Sequence, residues 1–377
     1  MRILVASGIF HPDIGGPATY LHQALPELIR RGHSVTVVTF GERTHESYPY
    51  PVHRVPRGNW LSRQWEYYRT VDRLWPGHDL VFLHSLGLPL PSRARPRLGR
   101  IGGDSAWERA VNKGWVAPHI DVEHFQISCR HPLARLNKAL YHREARKLDQ
   151  IIVPCRFYKR LIASWGVDPG KITVIHNAIR PAPVPQETKS DARRRLSLPD
   201  SRLLLTVTRL TPYKGVDYLI QAVTRLKDTH LLVVGDGPSG RELTKLAGRL
   251  GVSERVRFLG RIPRNQLPAF YRAADYTVLY AGGEGLSHTL LESLQVGTPV
   301  IASDAGGNSE VVRHGENGWL APFPDVDRLL ETIQKAYLPG EQARCSANTG
   351  VGLEEFSWDE TIRETLRLIE SFDTKRK

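Results

Sequence analysis

The chain of 377 residues is too long for one ordinary hydrophobic core and suits two domains of nearly equal size with a cleft between them. Its 41% hydrophobic and 24% charged residues are those of a soluble globular protein. No run approaches the roughly 20 apolar residues of a membrane helix, and Cys129, Cys155 and Cys345 lack the spacing of a metal site or disulfide framework, which fits a reducing, cytoplasmic compartment. The net charge of +13 is uneven, with 30 Lys/Arg against 17 Asp/Glu in residues 1–200 and 22 against 22 in residues 201–377, so the first half is expected to face something anionic: a nucleic acid, an acidic membrane surface or a phosphorylated substrate.

Along the chain, the opening Met1 to Ser7 reads as a buried strand, because it runs into His11-Pro12-Asp13 without the small-residue pattern of a cleaved leader. Gly15-Gly16 and Pro17 then open a first helix with Leu21, Leu25, Leu28 and Ile29 on one face and Gly32 as its stop. Glycines in that turn let a backbone approach a ligand, and the helix start behind them favours an anion; a tight turn without a ligand fits equally well. Further on, Leu61, Trp65, Tyr68, Val71 or Asp72, and Trp75 share a helical face beside Arg63, Arg69 and Arg73. Such a helix either covers a sheet or meets a membrane interface.

Short apolar runs at 3–6, 35–39, 80–83 and 151–153, then at 203–207, 231–234, 256–259, 276–279 and 300–302, alternate with helical stretches, the pattern of parallel sheets covered on both faces. The stretch 89–97 is short and irregular for a strand, helix and strand. The alternation pauses at Pro181-Ala182-Pro183-Val184-Pro185 and the polar run to Arg195, the composition of a linker. The expected division is a first domain over 1–182, a linker over 183–200, a second domain over 201–356, and a C-terminal helix in 357–377 that packs back toward the first domain and ends in a frayed Lys375-Arg376-Lys377.

The second half carries the sharper chemistry. Arg209 and Lys214 follow a strand end and precede a helix starting near Val216, where open α/β sheets bind ligands; a guanidinium and an ammonium there suit a diphosphate, although solvated surface cations are common. In Gly282-Gly283-Glu284-Gly285-Leu286-Ser287, followed by Glu292, Ser287 is the expected N-cap of a helix that ends at Gly297-Thr298-Pro299. A diphosphate at that helix start would meet free amides, with Glu292 suited to a ribose and Glu284 to a hexose by accepting from hydroxyls. Taken singly, each glutamate also reads as an ordinary solvated acid.

In order, these pieces resemble the retaining GT-B glycosyltransferases of family 4, which include bacterial mannosyl- and N-acetylglucosaminyltransferases. The resemblance covers nearly the whole chain. It rests on Pro12 with Gly15-Gly16, Arg31-Gly32-His33, Ile175-His176-Asn177, Arg209 with Lys214-Gly215, Val234-Gly235-Asp236-Gly237-Pro238, Phe258-Leu259-Gly260, and the Glu-x7-Glu pair Glu284 and Glu292. It implies an α/β GT-B fold of two Rossmann-like, doubly wound domains around a central cleft. It also implies a nucleotide diphosphate sugar as donor, a UDP- or GDP-sugar foremost, with no cofactor and no metal.

By the same resemblance Arg209 and Lys214 bind the diphosphate, Glu292 the ribose, backbone near Arg261 and Ile262 the base, and Glu284 with Gly285, Leu286 and Ser287 the donor sugar. Gly15 and Gly16 close from the other lobe, and Gly235 belongs to the donor site. The departing phosphate takes the acceptor's proton, so Glu284 and Glu292 are not an acid and nucleophile pair of the glycosidase kind.

Two departures stand out. Thr208 replaces a common glycine. Where many members carry a His-Gly or His-Asp, this chain reads Gly102-Gly103-Asp104-Ser105-Ala106-Trp107-Glu108, which makes Asp104 the expected acceptor-positioning group or else a helix N-cap, with Trp107, His84 and His119 as further acceptor candidates. The expected acceptor is a glycan, a small molecule or a lipid-linked sugar, with the basic first half against the inner face of a membrane. Competing readings are a nucleotide-sugar epimerase, a sugar-nucleotide sensor, and a basic nucleic-acid-binding protein; the neutral second half and the lack of a nucleic-acid motif argue against the last.

Overall fold

The computed structural model describes residues 1–13, 15–180 and 186–374. The first domain runs β1 (Arg2–Ser7), α1 (Gly16–Arg30), β2 (Ser34–Phe40), β3 (Val52–Val55), α2 (Trp60–Leu74), β4 (Leu80–Leu83), β5 (Arg97–Arg100), α3 (Ser105–Asn112), α4 (Val122–Ser128), α5 (Pro132–Arg146), β6 (Gln150–Val153), α6 (Arg156–Ser164) and β7 (Ile172–Val174). The second runs α7 (Lys189–Arg195), β8 (Arg202–Val207), α8 (Val216–Arg225), β9 (Thr229–Val234), α9 (Gly240–Arg249), β10 (Val256–Gly260), α10 (Leu267–Ala273), β11 (Tyr276–Leu279), α11 (His288–Val296), β12 (Val300–Ser303), β13 (Gly318–Ala321), α12 (Val326–Ala336) and α13 (Glu341–Ala347). The last helix is α14 (Trp358–Thr374).

Both sheets are parallel, in the orders β3-β2-β1-β4-β5-β6-β7 and β10-β9-β8-β11-β12-β13. The strands are apolar on both faces because helices cover both. Each order reverses direction once, between β1 and β4 and between β8 and β11, and such a switch point opens a crevice at the strands' carboxyl ends. This is the GT-B architecture, two doubly wound domains whose crevices share one cleft.

The expected linker 183–200 is corrected in part. A Thr188–Asp191 capping box opens α7, which buries Ala192 against Leu203, Leu205 and Tyr271 of the second domain. Its Arg193 is anchored on Asp275 at 3.0 Å and the Ala273 carbonyl at 2.9 Å. Only Ala192 and Arg193 of α7 are buried, so its sequence looks like exposed chain. The proline run 181–185 and the tail 375–377 lie outside the described residues. Helix α14 packs Trp358, Ile362, Leu366 and Ile369 into the core formed by Ile3, Val5, Leu21 and Leu25 of the first domain.

In the irregular stretch between β4 and β5 the connection contains no helix. The buried Arg97 holds it instead, donating to the carbonyls of Ala94 (2.7 Å) and Pro91. The face of α2 is also shifted from the expected one. Tyr67, Val71 and Trp75 are buried against the sheet, whereas Leu61 and Trp65 point outward, Trp65 stacking on Tyr68 with ring centres 5.7 Å apart. Among the described residues no helix is long and apolar enough to cross a membrane.

Candidate active site

The two switch points face each other across a cavity of about 520 Å³. From the second domain it is lined by Arg209 after β8, by Lys214, and by Glu284, Gly285, Leu286 and Ser287 between β11 and α11; from the first, by Gly15, Gly16, His84, Arg100 and Glu108. Five segments far apart in sequence thus meet because strand ends converge at the switch points.

Lys214 and Glu284 form an ion pair whose side chains are each 15% exposed. Burial alone would lower the lysine's pKa, but the charge and hydrogen bond of Glu284, with Tyr213 and Glu108, together outweigh it and hold Lys214 above the ordinary value, so the ammonium is fixed as a cation. The approach of Lys214 depends on Gly215. That residue has φ of 61° at the start of α8, and a Cβ there would overlap the Tyr280 carbonyl oxygen. On the other side, Gly306 and Gly307 press directly against the backbone of Glu284 and Gly285, and Gly307 N donates to the Glu284 carbonyl at 3.0 Å. Side chains there would displace the loop. Nothing in the sequence around Gly306-Gly307 shows the loop it packs against.

Ser287 caps α11, accepting from Leu290 N at 3.4 Å. Glu292 does not line the central cavity. It lines a neighbouring one of about 910 Å³ beside α10, where it accepts from Arg264 (2.6 Å) and the Tyr271 hydroxyl (3.1 Å). Gly235, Arg261 and Ile262 lie at the ends of β9 and β10, outside both cavities; Gly235 passes against Thr208, and Arg261 pairs with Asp236 at 3.2 Å.

Asp104 does not face the cleft. It is 1% exposed and is the N-cap of α3, one oxygen accepting from Ala106 N (2.9 Å) and Trp107 N (3.0 Å) and the other from Gln126 (2.7 Å). With both oxygens occupied it is a structural cap. Trp107 is buried at the domain junction, its ring centre 5.0 Å from that of Tyr213, and its indole donates to the Ile120 carbonyl. His119 is exposed in a loop away from the cavity. Of the acceptor candidates, only His84 lines the cavity.

One helical turn beyond Asp104, Glu108 does face the cleft. Burial pushes its carboxyl above the ordinary range, and the charges of Lys214, Glu284 and Arg209 all reach it. The signal was available: a residue at i+4 from an N-cap starts the second turn on the same face. Glu310, also missed, spans the junction by accepting from the α6 amides of Arg156 and Phe157, both at 2.9 Å, and lies 3.8 Å from His176.

The model of "Glycosyltransferase Family 4" matches residues 14–182 and that of "Glycosyl transferases group 1" matches residues 188–349. The chain belongs to glycosyltransferase family 4. It is 34% identical to the D-inositol 3-phosphate glycosyltransferase of Acidothermus cellulolyticus over 55% of its own length, and the match spans only 50% of that relative. An uncharacterized glycosyltransferase of Methanocaldococcus jannaschii is 27% identical over 98% of this chain and 97% of its own. Sucrose-phosphate synthase from Thermosynechococcus elongatus superposes with a TM-score of 0.81 at 21% identity, covering 99% of each chain. Anabaena HepE, solved in complex with UDP-glucose, superposes with a TM-score of 0.78 at 20% identity over 98% of this chain and 100% of its own. These two likenesses concern the fold.

Proposed function

We propose that this family 4 chain is a retaining glycosyltransferase. It moves a hexose or N-acetylhexosamine from a nucleotide diphosphate sugar to a glycan, small-molecule or lipid-linked acceptor in envelope polysaccharide or glycolipid synthesis, without a metal. The observation that carries the reading is the buried Lys214–Glu284 pair set between Arg209 and the start of α11. Arg209, Lys214 and the α11 amides offer positive charge to a leaving diphosphate, and Glu284 offers an acceptor to sugar hydroxyls. That a HepE structure holds UDP-glucose supports a sugar nucleotide here, and the inositol phosphate relatives support transfer to a hydroxyl. Glu108, from the opposite wall, takes the acceptor-positioning role first assigned to Asp104. The departing phosphate accepts the acceptor's proton on the same face of the sugar, so configuration is kept.

Thermal shift with UDP-, GDP- and ADP-sugars, followed by assay of donor cleavage, tests this reading. One nucleotide series is expected to raise Tm and one sugar to be released slowly without acceptor. Glu292→Ala is expected to weaken nucleotide binding by about tenfold, the worth of one lost charge-assisted pair of hydroxyl contacts. A chain that binds a sugar nucleotide but never cleaves it is the sensor instead, and unchanged affinity in Glu292→Ala removes the ribose assignment.

A second proposal concerns location. Among the described residues nine large hydrophobics are exposed, and seven of them lie on one layer of the first domain: Trp60, Leu61 and Trp65 on α2, Ile127 on α4, and Leu133, Leu136 and Leu140 on α5. Arg63, Arg69, Arg135 and Arg143 on the same helices supply positive charge, a combination suited to an anionic inner leaflet. Sedimentation with phosphatidylglycerol vesicles at low salt is expected to carry the protein down, and Leu136→Asp with Leu140→Asp to release it. A protein left in the supernatant with every vesicle rejects the membrane reading.

A further inference from the structure

Arg100 ends β5 with its guanidinium in the interior. The residue is 8% exposed; one nitrogen donates to Asn177 Oδ1 at 2.9 Å, the plane lies 4.0 Å from the Tyr20 ring centre, and Nη1 has no hydrogen-bond partner. Among the described residues no carboxylate pairs with it. A buried cation without a counter-charge is costly, and it is tolerated where something else supplies the charge.

The surroundings are built for an anion. His84, 5% exposed, also leaves its Nε2 without a partner, and so does His288 at its Nδ1; all three residues line the central cavity. Burial, then the charge of Arg100, keeps His84 well below its ordinary pKa, and burial with Arg264 and Arg100 takes His288 to about 4, so both imidazoles are neutral and do not compete with the guanidinium for the ligand's charge. Gly15 and Gly16 at the start of the 15-residue α1 open onto the same space, so free amides and the positive helix end face it. Asn177, which receives the Arg100 bond, donates in turn to the Leu286 carbonyl at 3.0 Å and so fixes the guanidinium relative to the Glu284 loop.

We propose that Arg100, together with His84 and the start of α1, forms a phosphoryl-binding subsite on the first-domain wall of the cleft, distinct from Arg209 and Lys214 on the opposite wall. The subsite rests on the reading of the cleft as the place where donor and acceptor meet. Its phosphoryl group belongs either to the donor diphosphate, gripped from both lobes, or to a phosphorylated acceptor.

The test compares the full-length parent with Arg100→Gln and Arg100→Lys by thermal shift and calorimetry, using sodium phosphate against sodium chloride at matched ionic strength, and UDP and GDP. Phosphate is expected to raise the parent's Tm, to bind at least about tenfold more weakly to Arg100→Gln, and to regain affinity in Arg100→Lys. A parallel loss of UDP or GDP affinity assigns the group to the donor; unchanged nucleotide affinity assigns it to the acceptor. Equal phosphate and nucleotide affinities in parent and Arg100→Gln overturn the proposal. Without ligand, Arg100→Gln is expected to melt no lower than the parent, since it removes an uncompensated charge. Should it fail to fold, His84→Gln and Arg100→Met carry the same comparison, and parental phosphate affinity in both overturns the subsite. A parent that binds phosphate but no UDP or GDP leaves the subsite standing and removes the donor reading alone.

Discussion

Glu108→Gln is expected to lower the transfer rate by about 10²-fold, the range for a misplaced reactant when a positioning contact is lost, with donor affinity unchanged. The glutamine keeps the size of the side chain but not its charge, and Glu108 lies on the first-domain wall, opposite the donor residues. The same variant has a pH signature. Burial raises the Glu108 pKa above the ordinary 4.5, so the parent loses its carboxylate, and its rate, as pH falls through a value higher than that of a free glutamate. That acid limb is expected to vanish in Glu108→Gln. Steady-state rates across pH, with donor affinity measured separately, decide the matter; a variant with the parent's rate and profile removes Glu108 from the reaction. Asp104→Ala is the contrast, since it removes the α3 cap at a cost of about 1 kcal/mol without touching a group in the cleft.

Lys214→Met is expected to cost about 3–5 kcal/mol of stability, as well as most donor affinity, because Glu284 is left as a buried carboxylate without its cation. The pair as a whole contributes far less than this, since two desolvated charges nearly balance their attraction. The double change Lys214→Met with Glu284→Leu is therefore expected to recover much of the lost stability and none of the activity. Urea unfolding of the two single variants and the double variant measures the coupling directly. Additive losses in the cycle would show that the pair is solvated and not coupled.

Much of the site was readable because it is local. A strand end, a glycine turn and a helix start are encoded within about ten neighbouring residues, so the Ser287 cap was placed by spacing, and the ordered motifs then singled out Arg209, Lys214 and Glu284 through the family resemblance. The first-domain wall was less legible, for a physical reason. The N-cap oxygen of α3 and the carboxylate one turn later are both acids at a helix start, and only the packing of Gln126 against Asp104 settles which is consumed by structure and which is free to face the cleft. The outward turn of Leu61 and Trp65 has the same origin, because aromatic residues crowd both sides of α2 and periodicity does not say which side meets the sheet.

The sequence by itself determined the two-domain α/β architecture, because strand and helix periodicities and glycine turns are properties of short stretches of chain, and its ordered motifs carried the resemblance to the family. The tertiary structure alone decided that Lys214 neutralises Glu284, that Glu292 looks into a separate cavity on Arg264 and Tyr271, that Glu108 and not Asp104 lines the cleft, and that Arg100 lies buried without a counter-charge among the described residues. Each of those facts depends on which distant segment comes to rest against a side chain. Charge pairing and desolvation are set by that contact and by nothing in the neighbouring sequence.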